Sequence, residues 1–202
     1  MTLQNKLGLT SSFELANEEE KISKKKALLL FENGSLQKWE AGTTDTLMKI
    51  HRALFEDIYD FAGKLRTVNL AKGNFRFIPV MYLKQALDTI EKMPQKTFEQ
   101  IVEKYVEMNI AHPFREGNGR SMRLWLDGIL SQELGMVTDW SLVDKNDYLA
   151  AMERSPVRDT EIKVLLKLAL TDKINDREVF MKGIDNSYSY EGYTAFAAES
   201  LF

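Results

Sequence analysis

Apolar residues recur at helical spacing through almost the whole chain, and one short segment breaks the rhythm. Leu47, Ile50, His51, Leu54, Phe55, Ile58 and Tyr59 fall on one helical face. So do Phe98, Ile101, Val102, Tyr105 and Val106, and later Met122, Trp125, Leu126, Ile129 and Leu130. Boundary signals agree. Ser11 with Glu14 makes a capping-box pair ahead of a helix that Asn33-Gly34 stops after Glu32. Gly63 is expected to close the second helix. Tyr82 to Met93 reads as helix up to Pro94, and Thr97 with Gln100 starts the next one. That helix should end near His112-Pro113, because a residue before proline is pushed out of helical geometry. Further helices are expected at about 145–154, 159–170 and 176–182. The exception is 66–80. There Val68 and Leu70, then Phe75, Phe77 and Val80, flank Lys72-Gly73-Asn74, the pattern of a hairpin turning at Gly73-Asn74. With only four prolines and eleven glycines in 202 residues, and no linker or repeat, the reading is one all-α domain with one small β-hairpin. A hairpin on the surface of a helix bundle can offer an edge strand to a peptide.

Charge and composition narrow the function. The net charge is −3, so no bulk positive field exists for nucleic acid, which is not expected as a direct partner. Cysteine is absent, which excludes disulfides, thiol chemistry and Cys-based zinc sites. No apolar run approaches the roughly 20 residues of a membrane span. The start, Met1 to Lys6, lacks a signal-peptide pattern. A cytoplasmic location without membrane association is therefore expected. His51 sits on an apolar helical face, which points to a core or subunit-contact histidine.

The chemistry concentrates between two of the periodic helices. Gly117-Asn118-Gly119 tolerates left-handed backbone angles and can gather N–H groups into an anion nest. A helix starting there aims its free N–H groups and dipole at the same point. Arg120 and Arg123, three apart, lie on nearby faces and can fork onto phosphate oxygens. Glu116 would repel phosphate unless it holds a divalent cation, as Mg²⁺ sites with few protein ligands do. His112 upstream offers a neutral ring able to take a proton near pH 7. Each of these alone fits an ordinary interhelical turn; the conjunction within twelve residues does not.

From His112 to Arg123 the chain matches His-Pro-Phe-x-[Asp/Glu]-Gly-Asn-Gly-Arg-x-x-Arg at every fixed position. In this it resembles the Fic family of protein adenylyltransferases, and the similarity runs roughly from Gly42 to Gly192. The resemblance implies a Fic-type helical bundle with its motif loop, 112–123, between two central helices and a β-hairpin flap, 66–80, over the site. It implies a core at 42–183, a helical extension at 1–41 packed on it, and an inhibitory helix and tail at 184–202. It also implies the roles. His112 would take the proton of a Ser, Thr or Tyr hydroxyl on a target protein, whose oxygen attacks the α-phosphorus of ATP while pyrophosphate leaves. Glu116 would hold Mg²⁺ or another divalent cation against the phosphates. The backbone of Gly117, Asn118 and Gly119 and the Asn118 side chain would cradle phosphates; Arg120 would meet the β-phosphate and Arg123 the γ-phosphate. Asn109, Ser121 and Lys72 join the ATP-binding set, although Lys72 serves equally as a solvated flap lysine. Gly73, Asn74, Phe75, Arg76 and Phe77 would dock the target, and Phe114 would pack inward. Glycine rather than lysine at 119 favours AMP transfer over phosphorylation.

A second family pattern, [Ser/Thr]-x-x-x-Glu-[Gly/Asn], fits at Ser187, Glu191 and Gly192 and at neither of the other two Glu-Gly or Glu-Asn steps. On a helix Ser187 and Glu191 would share a face, and Glu191 could pair with Arg123 and deny it to the γ-phosphate. A brake near the C-terminus resembles the compact class of the family. Tyr188, Tyr190 and Tyr193 flank it, as self-modification targets or as packing residues. Two rival readings stay open: an enzyme that uses Glu191 to align water and remove AMP, and a non-catalytic nucleotide-binding or toxin–antitoxin module. A homo-oligomer is a further partner that the compact class allows.

Overall fold

The computed structural model describes residues 2–73 and 75–201. Helix α1, Ser12–Glu32, is capped by Ser11, whose hydroxyl accepts from the Glu14 N–H at 3.3 Å. A single turn, α2 (Ser35–Lys38), follows left-handed Gly34. Helix α3, Thr44–Phe55, stops earlier than Gly63. Residues 56–63 form turns instead, and the Gly63 N–H donates to Nδ1 of His51 at 2.8 Å rather than closing a helix.

The hairpin is much shorter than 66–80. Strands β1 (Ala71–Lys72) and β2 (Phe75–Arg76) pair antiparallel, Ala71 opposite Arg76 and Lys72 opposite Phe75. Asn74, the expected turn residue, lies outside the described residues. Val80 is not in a strand: Pro79 starts α4, Val80–Glu91. Helix α5, Phe98–Ala111, opens with the expected Thr97/Gln100 capping box and ends at His112. Helix α6 runs Asn118–Leu134. Next come β3 (Val137–Thr138), a 3₁₀ turn at Trp140–Leu142, α7 (Lys145–Arg154), α8 (Thr160–Leu168) and β4 (Leu170–Thr171). The antiparallel β3–β4 pair has no signal in the sequence, since two-residue strands carry no periodicity. The last helix, α9, spans Arg177–Ser189, well past the expected end at residue 182. Asp176 caps its N-terminus, and its face of Gly183, Ile184, Ser187 and Tyr188 is buried.

Helix α6 is the centre of the molecule, packed by α3, α5 and α9. Residues 120–126 are buried all round that helix, arginines included. The apolar members Met122, Trp125, Leu126, Ile129 and Leu130 hold it, and truncating any one to alanine is worth about 2–5 kcal/mol. Helix α1 lies across α3 and α9, so the two ends of the chain meet beside the start of α6. No described helix is long and apolar enough to cross a membrane.

Candidate active site

His112 ends α5 in a left-handed conformation, φ 47°, the one non-glycine with positive φ among the described residues. Such a backbone costs roughly 1–3 kcal/mol, and the surroundings must hold it. Arg66 does so. Its Nε donates to the His112 carbonyl at 2.7 Å and its Nη2 to the Ala111 carbonyl at 3.1 Å. The same guanidinium donates to the carbonyls of Val68 (2.7 Å) and Ile78, which border the hairpin. One buried arginine thus ties the end of α5 to the flap. The His112 ring stacks on Phe77 at 3.8 Å between centroids. Burial pushes its pKa down to about 4, so it is neutral at pH 7. Nδ1 is buried and has no hydrogen-bond partner among the described residues.

The loop that follows is built from inside. Phe114 is fully buried and stacks on His51 at 3.8 Å. With Nδ1 accepting from Gly63, Nε2 of His51 donates to the Glu116 carbonyl at 2.9 Å. His51 is therefore a core histidine that props the loop. Burial lowers its pKa to about 4. Asn118 closes the loop by donating to the Phe114 carbonyl and accepting from the Phe114 N–H, both at 2.8 Å. Its side chain is thus held within the loop by two hydrogen bonds, one through each end of the amide. The nest is also simpler than expected. Only Gly117 is left-handed (φ 73°); Asn118 and Gly119 already belong to α6. A Cβ on Gly117 would lie 2.4 Å from the Phe55 ring.

Over this helix start sits the carboxylate of Glu191. A Cβ on Gly119 would meet its Oε1 at 2.3 Å. Oε1 pairs with Nη2 of Arg123 at 2.7 Å and Oε2 with Nε of Arg120 at 2.7 Å. The contact thus takes both arginines, not Arg123 alone. Ser187 completes it: its hydroxyl accepts from Arg123 Nε at 2.6 Å and its carbonyl from Nη2 at 2.8 Å. Glu191 is not on the helix with Ser187. Helix α9 ends at Ser189, and a turn carries Glu191 back over α6. Burial works to raise the Glu191 pKa, and the two guanidiniums more than offset it, leaving the carboxyl below its ordinary value.

Glu116 sits at the rim with its side chain 40% exposed. Its Oε1 accepts from the Gly117 N–H at 3.0 Å and lies 3.3 Å from Arg120, while burial raises its pKa. Oε2 has no hydrogen-bond partner among the described residues. One rim carboxylate fits a cation that takes its other ligands from phosphates and water. No cluster of three acidic or histidine side chains suits a metal among the described residues.

The remaining expected residues divide. Lys72, Gly73 and Arg76 are exposed on the hairpin, Phe75 is half-buried, and Phe77 is turned inward on His112. Asn109 is half-buried beside His112. Ser121 is sealed inside, with no exposure and no partner for its hydroxyl, so it does not reach the nest. As folded, two of the three tyrosines are buried and Tyr193 is half-buried. Tyr188 is buried, Tyr190 donates to the Val143 carbonyl at 2.8 Å, and Tyr193 donates to Glu19 at 2.9 Å. Sequence reasoning missed Glu19 on α1, whose Oε1 lies 2.6 Å from Arg120 Nη1, as it missed Arg66. Neither carries a local signal, because each meets the loop only through packing of distant elements.

The Fic/DOC family model matches residues 41–130, which include the hairpin and the loop and end ahead of Ser187 and Glu191. Protein adenylyltransferase VbhT of Bartonella schoenbuchensis is 29% identical over 74% of this chain, which spans 36% of that relative. A probable protein adenylyltransferase Fic of Salmonella typhimurium is 26% identical over 62% of this chain and 68% of its own length. The chain thus spans between about a third and two thirds of these relatives' lengths. In fold it is similar to BepC of Bartonella tribocorum, solved with AMPPNP, at a TM-score of 0.71, 19% identity, and coverage of 85% of this chain and 93% of that one. Over residues 41–130 this chain is similar to the Fic/DOC family.

Proposed function

We propose that the chain transfers AMP from ATP to a hydroxyl of a target protein and that Glu191 holds it inactive. One observation carries this reading: a carboxylate of the chain's own occupies the N-terminus of α6 between Arg120 and Arg123, where an anion nest would seat a phosphate. Names of relatives and the nucleotide in the BepC structure point the same way. In this reading 42–183 is the catalytic core, 1–41 packs on it, and 184–202 is the inhibitory segment.

The target oxygen bonds to the α-phosphorus, its proton passes to Nε2 of His112, and the bond from the α-phosphorus to the bridging oxygen breaks to release pyrophosphate. His112 is positioned for this by the left-handed cap and Arg66, and it is neutral at working pH. Arg120 and Arg123 stabilise charge on the phosphates once Glu191 withdraws. Mg²⁺ held by Glu116 would neutralise phosphate charge. The exposed hairpin presents Lys72 and Arg76 to the target.

The test is incubation of a cell lysate with α-labelled ATP and wild type, Glu191→Gly, or Glu191→Gly/His112→Ala. Glu191→Gly should raise labelling by about tenfold or more, by freeing two buried arginines from the carboxylate, and the double variant should abolish it. No gain from Glu191→Gly would sink the brake. A second reading, removal of AMP with Glu191 aligning water, is favoured by one observation: Glu191 acts electrostatically on His112, raising its proton affinity. Release of AMP from a labelled target by wild type but not by Glu191→Gly would select it.

A further inference from the structure

We infer that Glu19, on α1, is a positioning residue for the nucleotide site, holding the Arg120 guanidinium so that one edge faces the phosphates after Glu191 leaves. Each nitrogen of that guanidinium has its own carboxylate. Nε faces Glu191 at 2.7 Å, Nη2 faces Glu116 at 3.3 Å, and Nη1 faces Glu19 at 2.6 Å. Two of these partners are mobile in the proposed reading or stand at the rim. Glu19 is neither: its side chain is 3% exposed, and it accepts from the hydroxyls of Tyr59 and Tyr193. Tyr59 is itself buried, so the carboxylate is braced on the core. Rings of Phe55, Tyr188 and Tyr193 surround the guanidinium at 4.9, 5.3 and 4.5 Å.

A buried guanidinium stripped of its counter-ion is strongly unfavourable. If Glu191 were the sole acidic partner of the buried Arg120, its departure would leave that cation unpaired, and the brake would be hard to release. Glu19 remains behind as a resident counter-ion. Nη1 and Nε do not meet their carboxylates in hydrogen-bond geometry, so Glu19 holds the guanidinium by close charge, 2.6 Å from Nη1, within the enclosing rings. Nη1 is turned away into α1, and the Nε edge is left where Glu191 now sits, which is the edge a phosphate would take. Tyr193, two residues after Glu191, bonds the same carboxylate, so the inhibitory segment and the phosphate arginine share one anchor.

This inference rests on the nucleotide-site reading above, and its test separates the two. Full-length Glu191→Gly and Glu191→Gly/Glu19→Gln are titrated calorimetrically with ATP, ADP and AMP in Mg²⁺, with thermal unfolding recorded for each. Because Arg120 meets the β-phosphate in this reading, Glu19→Gln should weaken ATP and ADP by about tenfold or more and AMP by less than about twofold. The KM for ATP should rise in step in the labelling assay. Equal loss for all three nucleotides, or no loss, overturns a positioning role. Where Glu19→Gln does not unfold cooperatively, Glu19→Asp in the same background keeps the charge and must give the same ranking of nucleotides, with a smaller loss. Should Glu191→Gly bind none of the three, the nucleotide site falls and this inference with it. Should it bind them without transferring AMP, only the transfer reading falls, and the comparison still decides the role of Glu19.

Discussion

At residue 117 the backbone is left-handed and there is no room for a side chain. Gly117→Ala combines that strain with a collision against Phe55, so a loss of about 2–3 kcal/mol is expected. In a protein of this size it appears as a melting temperature lower by roughly 5–10 °C in calorimetry. The two histidines set a pH dependence of definite sign. Both have folded pKa values pushed down by burial to about 4, from the ordinary 6.5. Between about pH 6.5 and 4 the unfolded chain therefore binds protons that the native chain refuses, and stability falls as pH falls. His51 alone contributes roughly 3 kcal/mol across that window, from about 2.5 pKa units. Urea unfolding at pH 7 and pH 4.5 should show the decline. His51→Gln, which keeps a donor for the Glu116 carbonyl, should flatten it; an unchanged slope would reject this account.

At the scale of elements, the seam that matters joins the end of α5 to the flap. Arg66 makes it through four carbonyls, those of Val68, Ile78, Ala111 and His112. Arg66→Ala leaves these acceptors facing a void, at a cost of about 1–3 kcal/mol for each that water does not reach. His112 is then no longer held in its left-handed cap. A single-turnover labelling rate reduced by roughly a hundredfold is expected in the Glu191→Gly background, more than lost stability alone explains. If the rate per folded molecule stayed unchanged, Arg66 would be a fold residue only. The left-handed cap itself is half legible. Proline at 113 announces that α5 must stop, but nothing local in the sequence says that His112 will adopt φ 47°.

Across the whole molecule, the two chain ends are latched to each other. Lys24 on α1 lies 2.9 Å from Glu20 and 2.8 Å from Asp185 on α9. Glu20 accepts from the Ala195 and Phe196 N–H groups, and Asp185 from that of Ala198. This buried cluster pins the segment that carries Glu191. Lys24→Met leaves Glu20 without its cation, so the tail should loosen. Hydrogen exchange over 190–201 is expected to speed up, and basal labelling to rise several-fold, about as for loss of one buried charge pair. Faster exchange without a gain in labelling would mean that the tail can fray while Glu191 stays seated.

The sequence by itself determined the helices with strong periodicity, the capping of α1 and α5, and the residues of the loop from His112 to Arg123. These depend on neighbours within a turn or two, so local spacing carries them. It also pointed to Glu191 as a partner of Arg123, although through a helix shared with Ser187 that ends too soon. Tertiary structure alone decided the rest. That Arg120 shares Glu191, that Glu19 stands behind it, that Asn118 is held within the loop and that Ser121 is sealed all follow from burying α6 on every side. A charged side chain on a helix surrounded by others must find partners wherever the packing brings them. For Arg120 and Arg123 those partners come from α1, α9 and the turn after it, between 64 and about a hundred residues along the chain, where no spacing rule reaches.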